Sequence, residues 1–249
     1  MLTAQALPGI PEVRAGDDLG ALISAALPSG GLSADDVVVV AHKIVSKAEG
    51  RTRALAAVAP GERALELATK LDKDPRHVQV ILEESREIRR AQRGVLICVT
   101  HHGFVCANAG VDASNAPGSE VVVLLPREPD RSARAIRAAL RERTGIAPAV
   151  LITDSFGRAW RHGQCDVALG CAGLAPLEDW RGRTDARGRE LHATWIATAD
   201  QLAAAADLAR TKDGMQPVVV IGGAGRYVTA HDGPGAAALI RPRAEDLFR

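Results

Sequence analysis

Hydrophobic and polar positions along this chain fall into clusters of apolar runs and amphipathic stretches, with no unit repeated at a fixed period. Gly16-Asp-Asp-Leu19 opens an amphipathic segment that runs to Leu27, with Asp17 or Asp18 placed to cap its free amides and Pro28 to stop it. Asp36 to Ala41 is nearly all valine and reads as a buried strand, followed by the polar segment His42 to Arg51. From Pro60 to Arg93 the pattern turns helical in two segments divided near Asp74-Pro75, with Val78, Ile81 and Leu82 on one face. This stretch, near 60–93, is expected to be a small helical insertion. Val95 to Thr100, Val121 to Leu125 and Ala149 to Ile152 are strand candidates, and Ser132 to Arg143 is a strongly amphipathic helix ended by Gly145. Further strands are expected near Asp166 to Gly170, His192 to Thr198 and Val218 to Ile221, with a helix from Asp200 to Ala209. Strands and helices come in clusters and lack the regular alternation of a doubly wound sheet, so the predicted class is α+β with mixed sheets. No Pro- or Ser-rich linker divides the chain, which predicts one module across 1–249.

Composition narrows the function. A chain of 249 residues, 47% of them apolar, buries a sizeable core. Its 31 Lys and Arg nearly balance 30 Asp and Glu, which removes any general electrostatic case for nucleic acid or a membrane surface as partner. Seven aromatic residues, three Phe, three Trp and one Tyr, are too few for a base-stacking platform. Cys98, Cys106, Cys165 and Cys171 show no C-x-x-C pairing and read as reduced packing residues. The first eleven residues lack the basic start and apolar run of a leader, and no stretch approaches the roughly 20 apolar residues of a membrane span, so a cytoplasmic location is expected.

The chemistry concentrates in two stretches. Val105-Cys-Ala-Asn-Ala-Gly-Val-Asp-Ala-Ser-Asn115 gathers an Asp, a Ser and two Asn around a glycine after an apolar run. Ala149 to Ile152 then delivers Asp154 and Ser155 at what is read as the end of a strand. A hard divalent ion takes oxygen ligands and keeps waters and substrate phosphates in its shell, so Asp112 and Asp154 suffice to share one magnesium or manganese ion. Arg158 and Arg161, three apart beyond Asp154, are candidates for an anion clamp beside such a cation. Lys43 and Lys47, four apart after the valine strand, fit either a phosphate site or a solvated helix face. Trp180 to Glu190 is a second basic, glycine-broken loop, suited to solvent or to an acidic substrate. Gly222-Gly-Ala-Gly225 misses the dinucleotide-binding spacing and reads as a turn, and no G-x-x-x-x-G-K-[ST] loop exists, so a nucleotide would need a cradle assembled from several loops. His101-His102 reads as a solvated turn without a third ligand at metal spacing. On the residues alone, a metal-dependent phosphohydrolase is the first guess.

Several segments together resemble the coenzyme F420:L-glutamate ligase family, also called coenzyme F420-0 gamma-glutamyl ligase. They are Gly16-Asp-Asp-Leu19, Val45-Ser-Lys-Ala-Glu-Gly-Arg51, Ile81-Leu-Glu-Glu-Ser85, Asn108-Ala-Gly-Val-Asp-Ala-Ser-Asn115, Ile152-Thr-Asp-Ser155, Gly157-Arg158, Asp179-Trp180 and Gly188-Arg-Glu-Leu191. They run in the family's order across nearly the whole chain. The resemblance implies an intertwined homodimer of the gamma-glutamyl ligase type and a ligase that adds L-glutamate to coenzyme F420-0 through an acyl phosphate made with GTP. It implies Mg2+ or Mn2+, often with K+. Carried over position by position, Asp112, Asp154 and Ser155 are the expected metal ligands. Ile10, Pro11, Glu12, Val13, His42, Lys43, Lys47 and Asn115, with the segment at Lys212 and Gly214, are expected at GTP. Lys47 is expected to offset phosphate charge in catalysis, with Arg158 and Arg161 as further candidates. His42-Lys43 stands where archaeal relatives tend to carry small hydroxyl residues, Ser155 replaces a common Thr, and Phe156 replaces an Asn. The Lys212 loop also lacks a double glycine and an acidic residue seen in some members. The rivals are an amide ligase for a different carboxylate acceptor and a non-catalytic protein that binds a deazaflavin or a phosphate.

Overall fold

A computed structural model describes residues 1–247. Its elements are β1 (Thr3–Ala6), α1 (Leu19–Ala26), β2 (Val37–Ala41), α2 (His42–Ala48), β3 (Thr52–Ala54), α3 (Glu62–Leu71), α4 (Pro75–Glu83), β4 (Ser85–Gln92), β5 (Val95–Thr100), β6 (Val105–Ala107) and β7 (Val121–Val123). The chain continues with α5 (Pro129–Thr144), β8 (Ala149–Arg158), β9 (Arg161–Ala172), β10 (Glu178–Asp179), β11 (Trp195–Ile196), α6 (Thr198–Asp207) and β12 (Val218–Gly222). Mixed α and β structure spread over several sheets is what the clustered pattern predicts.

The valine run becomes the middle of a five-stranded sheet, ordered β1-β12-β2-β8-β9, in which β2 and β8 are parallel and the other neighbours antiparallel. Side chains alternate across a strand, so Val38 and Val40 pack on one face and Val37 and Val39 on the other, all fully buried. The first face is covered by Ile23 of α1 and Ile136 and Leu140 of α5, the second by Leu202, Ala203 and Ala206 of α6. Each such large side chain, taken out of water, contributes about 1.5–3 kcal/mol. Gly170 in β9 is required by this packing. A Cβ there would lie 2.3 Å from the backbone of Pro129 at the start of α5.

A parallel β2–β8 pair cannot be closed by a tight turn. The connection here holds a separate lobe, β3 to β7, whose core gathers Leu67, Leu71, Val78, Ile81, Leu96, Cys98 and Val122. The lobe is larger and more mixed than a helical insertion. Within 60–93, α3 and α4 form on either side of Asp74-Pro75, and Asp74 accepts from the Arg76 amide at 2.8 Å as the α4 cap. Ser85 to Gln92, expected as helix, is instead a strand paired with Val95–Thr100. Its charged residues favour helix locally, but Arg93 and Gly94 both adopt left-handed backbone (φ 51° and 73°), the hairpin-turn signature, and cross-strand pairing wins.

Other boundaries move as well. The strand expected over His192 to Thr198 shortens to Trp195–Ile196 because Thr198 already opens α6, while α5 starts three residues earlier than predicted, at Pro129, and ends at left-handed Gly145 as predicted. Asp18 is the α1 cap, accepting from the Ala21 amide at 2.9 Å. Gly222 ends β12 and Gly223 turns with φ 76°, the turn expected there. His101 and His102 are not simply solvated. Their Nε2 atoms lie 2.9 Å from the carbonyls of Glu83 and Pro126, so both histidines tie the hairpin end to its surroundings. All four cysteines are free thiols; burial pushes Cys106 and Cys171 up to about 12, with the nearby Asp154 charge adding to Cys106 and Asp130 to Cys171, and both stay inert. No helix among the described residues is long and apolar enough to cross a membrane.

Candidate active site

The cleft exists because two parallel strands differ in length. β2 ends at Ala41, opposite Thr153, whereas β8 continues five residues further to Arg158. Beyond Thr153 the edge of β8 that faced β2 has no strand partner among the described residues, and the chain from β2 turns away as α2. Asp154 and Ser155 therefore lie inside a strand rather than after its end, held in register by β9 on the far side through Asp154↔Val167 and Ser155↔Asp166. The opening is lined by Ile10 to Val13, by His42, Lys43 and Lys47 of α2, by Asn115, by Asp154 and Ser155, and by the segment Arg210 to Pro217.

The second carboxylate arrives from the lobe. Asp112 is fixed by paired backbone hydrogen bonds with Val123 of β7, at 3.0 and 2.8 Å. Its carboxylate accepts from the Ser114 amide at 2.8 Å and hydroxyl at 2.7 Å, and from Lys43 Nζ at 2.6 Å. Asn115, three residues after Asp112, takes the left-handed backbone (φ 53°) that turns the loop into the cleft. Burial pushes the Asp112 carboxyl up, but Lys43 and the Ser114 donors outweigh it and hold it below the usual range. Asp154 follows the same logic. Burial raises it, and His42, the Ser155 amide and Lys43 together bring it below its ordinary value. Lys43 Nζ is bonded to Asp112 and its charge also favours ionised Asp154, so one lysine at the cleft links the two carboxylates electrostatically, although Asp112 is not itself among the lining residues. His42 is buried with Nε2 3.4 Å from Asp154 Oδ1, longer than an ordinary hydrogen bond, and Nδ1 3.3 Å from Ser46 Oγ.

Lys47 is 6% exposed, far below the norm for lysine, and its Nζ donates to Glu12 Oε1 at 2.6 Å. This resolves the choice between phosphate site and solvated face against the second for Lys47, which points inward. Lys212 Nζ reaches Ser155 Oγ at 2.7 Å and Asp207 at 2.9 Å. Gly214 turns that segment, its amide 3.3 Å from the Thr211 carbonyl, and is not itself among the lining residues.

Arg158 and Arg161 are not brought to the cleft. They face each other at the tip of the β8–β9 hairpin, both exposed, and Arg158 donates to the His162 carbonyl at 2.6 Å. Spacing from Asp154 suggested proximity, but an extended strand rises about 3.3 Å per residue, so four residues carry Arg158 some 13 Å away. Two residues that the sequence reading did not assign to the site, Asp166 and Arg210, take their place in the wall. Asp166, 1% exposed, accepts from Thr153 Oγ1 at 2.9 Å and Ser155 Oγ at 2.6 Å and pairs with Arg210. An acid inside the strand expected over Asp166 to Gly170 demands a buried partner, and that was the available signal.

The donors offered by Asp112, Asp154 and Ser155 are all oxygen, as a hard divalent ion prefers, and no group of three or more His, Cys, Asp or Glu at metal spacing exists among the described residues. The arrangement suits an ion that completes its shell with phosphate oxygens and water.

A sequence profile of the F420-0:Gamma-glutamyl ligase family matches residues 9–223. The coenzyme F420:L-glutamate ligase of Methanothermobacter thermautotrophicus is 46% identical over 247 residues, covering 97% of this chain and 96% of the relative. Those of Haloarcula marismortui and Methanopyrus kandleri are 43% and 44% identical, covering 98% and 100% of this chain and 94% and 98% of their own lengths. The agreement spans both the lobe and the sheet that together build the cleft, and the chain belongs to the F420-0:gamma-glutamyl ligase family.

Proposed function

We propose that this chain is a GTP- and divalent-metal-dependent ligase that adds L-glutamate to coenzyme F420-0 and builds a gamma-linked tail. The observation that carries the reading is the cleft shared by Asp154, Ser155 and the buried Lys47, to which Asp112 of the lobe is tied through Lys43. The names of the relatives supply the substrates.

In this reading Asp112, Asp154 and Ser155 hold Mg2+ or Mn2+, which when bound neutralises phosphate charge; K+ assists. Ile10 to Val13, His42, Lys43, Asn115 and the Lys212 to Gly214 segment hold GTP. The acceptor carboxylate attacks the gamma-phosphorus, the bond to the bridging oxygen breaks, and GDP leaves. The amine of glutamate then attacks the acyl carbon, inorganic phosphate departs with the bond pair, and the amine proton passes to solvent. Lys47, held by Glu12 and shielded from water, offsets the negative charge that builds on the transferred phosphoryl oxygens. Arg158 and Arg161 have no role within their own chain's cleft. The protein acts in the cytoplasm as a homodimer, which light scattering of the purified chain tests.

Mass spectrometry of F420-0 incubated with the protein, GTP, Mn2+ and L-glutamate tests the chemistry. A ladder of glutamate additions that vanishes when glutamate is omitted is the expected result. GDP release independent of glutamate would instead indicate a phosphohydrolase, and bound but unmodified F420-0 a different acceptor or a binding protein.

A further inference from the structure

A hydroxyl that ligates a cation presents a lone pair to it, so its proton has to be taken by an acceptor on the other side. In this structure that acceptor is Asp166. Ser155 Oγ donates to Asp166 Oδ1 at 2.6 Å, across the β8–β9 pairing, and Lys212 Nζ stands 3.8 Å from the same carboxylate oxygen. The same oxygen of Ser155 accepts from Lys212 Nζ at 2.7 Å, which shows its lone pair directed at a positive charge on the cleft side. Asp166 is itself fixed by two further partners that also bind each other. Thr153 Oγ1 donates to Oδ2 at 2.9 Å, Arg210 Nη2 donates to the same oxygen, and Arg210 also reaches Thr153 Oγ1 at 3.2 Å. Arg210 begins the segment that continues through Lys212 along the cleft. One buried carboxylate therefore ties the strand carrying Ser155 to the segment carrying Lys212.

We propose that Asp166 is a positioning residue for the cation, acting through Ser155 by taking its hydroxyl proton and so aiming its lone pair at the cation. This rests on the reading of Ser155 as a metal ligand. Asp166 lines the cleft as Asp154 does, so the two readings are separated by whether the effect of Asp166 depends on the Ser155 hydroxyl. An amide at position 166 presents an NH2 group along with its oxygen and no longer guarantees an acceptor to Ser155, so the hydroxyl loses its fixed orientation.

The test is Mn2+ titration of the full-length protein, followed by electron paramagnetic resonance of the free ion, for wild type, Asp166→Asn, Ser155→Ala and the double variant. Asp166→Asn is expected to weaken Mn2+ by about 10- to 100-fold, as loss of a residue supporting a metal ligand does elsewhere. It should have no further effect once Ser155 is alanine, because both changes remove one device. An equal loss with and without the Ser155 hydroxyl would overturn the proposal, since a merely structural role acts in both backgrounds, and so would unchanged affinity in Asp166→Asn. Thermal melting reports folding. Where Asp166→Asn alone melts early because Arg210 loses its close carboxylate partner, Asp166→Asn with Arg210→Gln removes both charges and carries the same cycle. Wild-type protein that binds no Mn2+, or Asp154→Ala that binds it undiminished, would sink the metal reading itself rather than the role of Asp166 alone.

Discussion

The lobe and the central sheet are built to different standards. The lobe core is apolar, with Thr100 as its one buried polar residue among those described. The sheet region buries His42, Ser46, Lys47, Thr153, Asp166 and Thr198, and His42, Lys47, Thr153 and Asp166 of these line the cleft. Apolar burial is non-directional and tolerant of detail, whereas a buried charge is stable only with its particular partners in place. The lobe therefore acts as a rigid bracket that delivers Asp112, and the sheet accepts electrostatic cost to hold a reactive cleft.

The sharpest way to break this comparison is to separate activity from folding. Asp112→Ala and Asp154→Ala are each expected to lower turnover by about 10²- to 10³-fold or more, with the melting temperature barely changed, as steady-state assays and calorimetry would show. A drop in both would mean that the carboxylates serve the fold. Arg210→Met removes the close counterion of buried Asp166 and leaves it only the looser Lys212 at 3.8 Å, and denaturant unfolding should register a loss of about 3–5 kcal/mol. Ile81→Ala in the lobe should cost about 2–5 kcal/mol by the same measurement while kcat of the folded fraction is kept. Equal damage to kcat would show the bracket to be dynamically coupled to the cleft.

Two aspartates outside the cleft test the same contrast through pH. Asp74, in the lobe, is held below the ordinary carboxylate range first by its hydrogen bond to the Arg76 side chain and then by the Arg76 amide, against the opposing effect of burial. Its stabilisation is present above the unfolded value, near 3.9, and is lost as pH falls through the lower folded one. Asp74→Ala should cost about 1 kcal/mol at neutral pH, the worth of a helix cap, and flatten the acid limb of the unfolding curve. Asp200, beneath β9, is raised by burial despite accepting from the Ala168 amide at 2.9 Å. Its contribution favours the fold at low pH and is lost as pH rises through the raised value, so Asp200→Asn should stabilise slightly at neutral pH. The smallest effect is expected from Arg158→Ala with Arg161→Ala. A large loss of turnover in that variant would mean that the hairpin, whose tip carries Trp160 at 83% exposure, reaches the cleft of a second copy.

How far the sequence reaches depends on the range of the force involved. The valine run, the capped α1, the Asp74-Pro75 break and the Gly145 stop were legible because periodicity, capping and proline or glycine geometry act within a few residues. That Asp154, Lys47 and Asn115 line one cleft was legible through motif resemblance, which stands in for distances the chain does not state. Three things were decided only by tertiary structure. Charged Ser85–Gln92 became a strand because Val95–Thr100 was there to pair with it. Arg158 and Arg161 left the cleft because β8 outran β2 and carried them outward. Asp166 and Arg210, 44 residues apart, became partners because a buried charge has to find its counterion wherever the fold brings one within reach.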